Sequence, residues 1–268
     1  MGVARSFAVL LWLACSAVLA QAPQIGQVSK DSVWVPTPDR MIRRLLQLAD
    51  TTKDDVVIDL GSGDGRIPIY AAKHFGARGI GVELEANLVE VSRKSAAAQG
   101  VGHRVRFLQQ DLYEADISTA TVVALYISPG VMTRLKPRLL ALKPGTRVVS
   151  HHFTLGDWEP DEIVQVEGRT GYLWIVPSAV AGNWRVRMDG EQFSVRIEQS
   201  HQAIRTEGER SGKPLHVIGA RLRGTEIRFT SFDRDGATRH FEGRVDGSRM
   251  AGESEGPGIA PRRWTAVR

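Results

Sequence analysis

The 268-residue chain has a single cysteine, Cys15. That excludes an internal disulfide and any zinc site built on cysteines. No apolar run reaches the roughly 20 residues of a membrane-spanning helix, so a multi-span membrane protein is excluded. Residues 21–178 carry no excess of either charge, with 18 Lys and Arg against 18 Asp and Glu. The formal net charge of +5 comes from Arg5 and from residues 179–268, which hold 15 Arg, one Lys and 12 acidic residues. Those arginines form no run beyond Arg262-Arg263. They read as a solvated face, and no nucleic acid is expected as a partner. Low-complexity tracts and fixed-period repeats are missing as well. Hydrophobic residues at 42% and charged residues at 24% are ordinary for a globular chain and rule out a disordered tail.

The apolar block Phe7 to Ala20 follows a lone positive charge, Arg5, and precedes the small residues Ala20-Gln21-Ala22. It reads as an export signal cut after Ala20, with an uncleaved anchor or a lipoprotein signal at Cys15 as alternatives. Either way it places residues 1–20 outside the folded part. It implies a bacterial envelope location, exported or membrane-anchored, with membrane proximity through that segment.

Residues 21–178 alternate helix and strand. Thr37-Pro38-Asp39 reads as a helix start, with Thr as cap. Met41, Ile42, Leu45 and Leu46 give that helix a buried stripe. Asp55 to Leu60, Gly79 to Glu83, Val105 to Leu108, Thr121 to Ile127 and Thr146 to Phe153 are apolar strands. Helices over Ile67 to Phe75, Ala86 to Gln99 and Val131 to Leu142 separate them, stopped by Gly76, Gly100 and Pro144-Gly145. Glu162 to Val166 and Tyr172 to Val176 form a hairpin. The result is an α/β fold with a doubly wound, mostly parallel sheet, whose ligands sit at the C-terminal strand ends. After Pro177 the helical period vanishes. Residues 179–268 show short alternating strands and the turn signals Asp189-Gly190, Asp235-Gly236 and Asp246-Gly247. They form a smaller antiparallel β domain.

The loop Asp59-Leu60-Gly61-Ser62-Gly63-Asp64-Gly65 leaves a buried strand and opens a helix. Its glycines permit a tight turn and close approach of a ligand to the backbone. The third glycine comes one residue earlier than in a dinucleotide loop. Asp59, two residues before the first glycine, suits a ligand bearing a cationic amino-acid group rather than a pyrophosphate. Glu83 ends the second strand, where a carboxylate can accept ribose hydroxyls. Asp111 ends the third, where a carboxylate can receive the amine of adenine, with Leu112 beside it to pack on the ring. Carboxylates at three successive strand ends make an S-adenosylmethionine site.

These motifs resemble class I S-adenosylmethionine-dependent methyltransferases. More narrowly, the chain is similar to the ATP synthase c-subunit lysine methyltransferase family and its bacterial relatives. The likeness runs over residues 33–177. It lies in Val35-Pro36-Thr37-Pro38, Asp59 to Arg66, Gly81-Val82-Glu83-Leu84, Gln110-Asp111-Leu112, Leu125-Tyr126-Ile127-Ser128-Pro129 and Gly145 to Ser150. It implies a seven-stranded sheet and a methyl acceptor that is a protein lysine, with a small molecule as the alternative. It also implies that Pro36 and Thr37 fold over the cofactor, and that Tyr126, Ser128 and Pro129 line the acceptor pocket. A third alternative is a non-catalytic exported binding protein that retains the fold. The adjacent pair His151 and His152 sits on opposite faces of a strand, so it cannot hold one metal. Each has a structural or rim role, and no metal site is expected.

Overall fold

A computed structural model describes residues 24–26, 28, 34–232 and 238–268. The apolar block with Cys15 and the Asp235-Gly236 turn signal lie outside them. Seven strands make the first sheet: β1 (Val56–Leu60), β2 (Arg78–Glu83), β3 (Val105–Gln109), β4 (Val122–Leu125), β5 (Arg147–His151), β6 (Glu162–Val166) and β7 (Arg169–Ile175). Their order is β3-β2-β1-β4-β5-β7-β6. β1 to β5 pair in parallel, and β7 runs antiparallel to both β5 and β6. The order reverses between β1 and β4, and at such a switch point a crevice opens at the C-terminal strand ends.

The helices are α1 (Asp39–Leu48), α2 (Arg66–Phe75), α3 (Ala86–Ala98) and α4 (Pro129–Leu140). Alternation along β1 assigns them to the two faces. Val57 packs with Met41, Ile42 and Ala71 from α1 and α2, whereas Ile58 and Leu60 pack with Met132 and Leu135 of α4. α3 covers Val105 and Phe107 of β3 on the α2 side.

Two expectations need correction. Thr37 does not cap α1: Pro38 holds the N-cap position, and the Thr37 hydroxyl lies 3.3 Å from His151 Nδ1 instead. The fourth helix starts two residues early, at Pro129, because proline at the first helical position needs no N–H partner.

The C-terminal strands are β8 (Gly182–Met188), β9 (Glu191–Ser200), β10 (Ala203–Arg210), β11 (Lys213–Arg223), β12 (Glu226–Phe232), β13 (Thr238–Asp246), β14 (Arg249–Gly256) and β15 (Ile259–Val267). They follow one another around a closed antiparallel barrel, with β15 pairing back onto β8. Trp184, Phe193, Phe229, Phe241 and Trp264 fill its interior. The alternating pattern in the sequence does not mark β10, β14 or β15. The barrel meets the first sheet through Ser178 N–H donating to the Gly224 carbonyl at 2.8 Å, and through an Arg223–Glu162 ion pair. Among the described residues no helix is long and apolar enough to cross a membrane.

Candidate active site

A cleft opens at the C-terminal ends of β1, β2, β3 and β4. Its wall includes Pro36, Thr37, Asp59, Gly61, Ser62, Gly63, Asp64, Glu83, Asp111, Leu112 and Tyr126. Three residues expected at the site do not line it. Gly65 turns its Cα toward the core, where a Cβ would fall 2.5 Å from the Phe107 ring. That glycine lets α2 pack against β3. Ser128 and Pro129 form the N-cap and first residue of α4, just beyond Tyr126.

The glycine loop folds as its composition demands. Gly61, Gly63 and Gly65 have φ of 78°, 54° and 77°, in the left-handed region that side chains disfavour. Gly61 and Ser62 N–H both donate to the Val82 carbonyl, which fastens the loop across the end of β2. Asp64 pairs with Arg66 at 2.6 Å, and Arg66 Nη1 donates to the Thr37 carbonyl at 3.1 Å. Arg66 thereby ties the segment before α1 to the loop. The Ser62 hydroxyl is buried without a partner.

Glu83 is caged by backbone donors. Gly63 N–H donates to Oε2 at 2.8 Å, and Leu84 and Glu85 N–H donate to Oε1 at 2.8 and 3.0 Å. A carboxylate offers about four accepting sites, so roughly one remains, on Oε2, for a ligand hydroxyl. Asp59 is 2% exposed. Burial first, and then the nearby charges of Glu83 and Asp64, push its carboxyl well above the usual range. A cationic ligand group would reverse that penalty. Asp111 Oδ1 accepts the Tyr113 N–H at 2.9 Å, which closes a turn after β3. Among the described residues no group of three or more His, Cys, Asp or Glu could hold a metal ion.

Two residues escape a reading of this site from sequence. Trp34 lines the cleft and lies over the glycine loop, where a Cβ on Gly63 would fall 2.3 Å from its Nε1. Its position directly before the Val-Pro-Thr-Pro stretch is the available signal. His151 is buried, not at a rim, with its ring centroid 4.0 Å from that of Tyr126. Burial, then Arg169 and His152, push its pKa down to about 4, so it is neutral at pH 7. Its Nε2 is buried without a partner. β5 ends at His151, short of the expected Phe153, and His152 is exposed beyond it with a positive φ of 76°, so the two histidines part because the chain turns and not by strand alternation. Phe153 stacks on Tyr126 at 6.2 Å, completing an aromatic cluster at the end of the fourth strand, of which Tyr126 lines the cleft.

Comparison with known proteins decides the family. The ANTKMT methyltransferase domain matches residues 59–162. A protein-lysine N-methyltransferase of Saccharolobus islandicus (strain REY15A) is 42% identical over 149 residues, covering 53% of this chain and 92% of that protein. The chain belongs to this protein-lysine methyltransferase family. An ATP synthase c-subunit lysine N-methyltransferase of Xenopus laevis is 35% identical, covering 48% of this chain and 57% of that protein. A solved structure described as an RNA methyltransferase from Salinibacter ruber, in complex with S-adenosyl-L-homocysteine, is 52% identical. It covers 55% of this chain and 96% of its own, with a TM-score of 0.54. The barrel lies outside the matched residues 59–162. The methyltransferase uses S-adenosylmethionine, and its cleft fits that molecule: the positive-φ glycines Gly61 and Gly63 line it, and the buried Asp59 carboxyl suits a cationic group.

Proposed function

We propose that this methyltransferase N-methylates a lysine side chain of a protein, with the cleft residues in the following roles. Asp59 faces the ammonium of the cofactor's amino-acid end, Glu83 Oε2 takes a ribose hydroxyl, and Asp111 with Leu112 receives the adenine. Gly61, Ser62, Gly63 and Asp64 form the backbone cradle, with Pro36, Thr37 and Trp34 folded over it. The bound cofactor supplies an electrophilic methyl group on a sulfonium.

The observation that carries the lysine acceptor is the aromatic cluster of Tyr126, His151 and Phe153 at the end of β4 and β5. A lysine attacks only as a free amine, and apolar surroundings lower its pKa by disfavouring the ammonium. A neutral His151 adds no cation to repel it. Tyr126, at the cleft, orients the amine. Positioning and desolvation supply the acceleration, so no group on the chain need remove a proton during transfer.

The test incubates the full chain with methyl-labelled S-adenosylmethionine and a bacterial extract. Label in protease-sensitive material that hydrolyses to methyl-lysine is the expected result. Label confined to ribonuclease-sensitive material, or to small molecules, would overturn the assignment. The RNA outcome is the one to which the Salinibacter ruber relative's description points.

A further inference from the structure

The segment between β3 and β4, residues 110–121, contains no helix, yet it supplies Asp111 and Leu112 to the cleft. A loop without a ladder leaves its carbonyls in need of donors. Near the cleft its own resources are the Tyr113 N–H on Asp111 Oδ1 at 2.9 Å and the Glu114 N–H on the Asp111 carbonyl at 3.0 Å; the Ser118 N–H on Asp116 Oδ1 and the Ala120 N–H on the Ile117 carbonyl close its far half. The sheet anchors both its ends, Gln110 N–H donating to the Glu83 carbonyl and Thr121 N–H to the Val56 carbonyl, and α4 supports the carbonyls between them. Arg138 donates Nη1 to the carbonyls of Leu112, at 3.0 Å, and Tyr113, and Nη2 to the carbonyl of Ala115. One turn earlier, the Arg134 guanidinium carbon sits 3.9 Å from the centroid of the Tyr113 ring. One planar fork thus sets the peptide planes of the loop beside the cleft.

We propose that Arg138 is a specificity-determining positioning residue, which holds Asp111 and Leu112 where they select a 6-aminopurine over a 6-oxopurine. The proposal rests on the assignment of Asp111 to the adenine end. An exocyclic amine donates to a carboxylate, whereas an oxo group would set two acceptors face to face. Hydrogen bonds weaken steeply when misaligned, so a loop free to shift loses this discrimination before it loses the rest of its hold on the ligand. Arg138 reaches the purine only through the loop, so its loss is read in the choice of purine.

The experiment titrates the full chain with S-adenosylhomocysteine and with S-inosylhomocysteine and compares the ratio of their Kd values. Wild type should favour the adenine compound. Arg138→Met should shrink the ratio about ten-fold, roughly the worth of one hydrogen bond to a charged group. The shrinkage should come from weaker adenine binding, with the inosine compound little changed. Arg138→Lys, which keeps length and charge but cannot reach three carbonyls, should give an intermediate ratio. It also serves as the deciding variant where the Met substitution does not fold. Asp111→Asn separates the two levels of the reasoning, because its amide can accept from an amine or donate to an oxo group. A ratio lost in Asp111→Asn but unchanged in both folded Arg138 variants would overturn the role of Arg138 alone. A ratio unchanged in Asp111→Asn would overturn the adenine assignment beneath it.

Discussion

Replacing Asp59 by Asn should stabilise the ligand-free protein while weakening its grip on the cofactor. At pH 7 an unfolded Asp59 is ionised. The folded chain must either protonate the carboxyl or hold a charge that burial, Glu83 and Asp64 all disfavour. The ordinary pKa of 3.8 sets the ceiling on that cost. At 1.36 kcal/mol per unit over the span to pH 7, it is about 4 kcal/mol. An amide keeps part of the desolvation penalty, so about 2 kcal/mol of gain is expected, or about 4–8 °C in Tm for a chain of this size. The raised native pKa fixes the sign. The native state binds the extra proton above pH 3.8, so the wild-type penalty is absent below that pH, grows as pH rises and levels off above the native pKa. The gap in Tm between variant and wild type should follow that course from pH 4 to 8. Binding should move the other way. Losing a charge-assisted hydrogen bond to the ammonium costs about 2 kcal/mol, roughly thirty-fold in Kd for S-adenosylhomocysteine. An Asn variant that is less stable than wild type at pH 7, or binds equally well, would refute the reasoning.

Other consequences follow from the same geometry. Glu83→Gln puts an amide N–H₂ where one carboxylate oxygen accepts backbone donors. Cofactor affinity should fall by about 1–3 kcal/mol, and the Gly63 amide should exchange faster with solvent; unchanged exchange would contradict the cage. Gly81→Ala would set a Cβ 2.5 Å from the Phe107 ring and 2.6 Å from Ser62 Oγ. Overpacking of that kind costs about 1–3 kcal/mol, and Phe107→Leu should restore part of the lost Tm. His151 titrates near 4 when folded against 6.5 when free, so the unfolded state takes up its proton first as pH falls. Wild type should therefore lose about 3 kcal/mol between pH 6.5 and 4 through this group. His151→Phe should show a correspondingly shallower acid slope, and an identical slope would exclude the assignment.

The parallel part of the fold is legible because its signals are redundant. Apolar runs such as Val56 to Leu60 mark strands buried on both faces, and Gly76 and Gly100 end helices where the pattern stops. The barrel is half legible. β8 and β9 alternate Trp184, Val186, Phe193 and Val195 against polar residues, as a strand with one buried face should. β14 does not, because the β13 backbone and the Trp264 ring crowd this part of the barrel. A Cβ on Gly243 would lie 2.5 Å from the Trp264 ring, and one on Gly252 would lie 2.5 Å from the Gly243 Cα. A ring against Gly243 and a close backbone approach at Gly252 leave glycines where apolar side chains would stand, so the apolar alternation that marks a strand is erased there. At the site, the carboxylates at strand ends are readable from spacing alone. His151 is not, because its role comes from burial beside Tyr126, which lies 25 residues away in sequence but adjacent across the sheet.

The direction of β7 has a spatial consequence. Because it runs against β5, the chain quits the sheet beside Gly145, at the end remote from the cleft, where Gly145 N–H donates to the Val176 carbonyl at 2.8 Å. The barrel hangs from that far end, and its contacts through Gly224 and Arg223 stay there. Trp34 to Thr37, by contrast, drape over the mouth. The molecule therefore has a handle and a mouth at opposite poles. A closed cylinder offers no strand edge for the sheet to merge with, so the barrel stays a separate body. Anything that grasps it from beyond would leave the catalytic face turned outward and the approach of a large acceptor unobstructed.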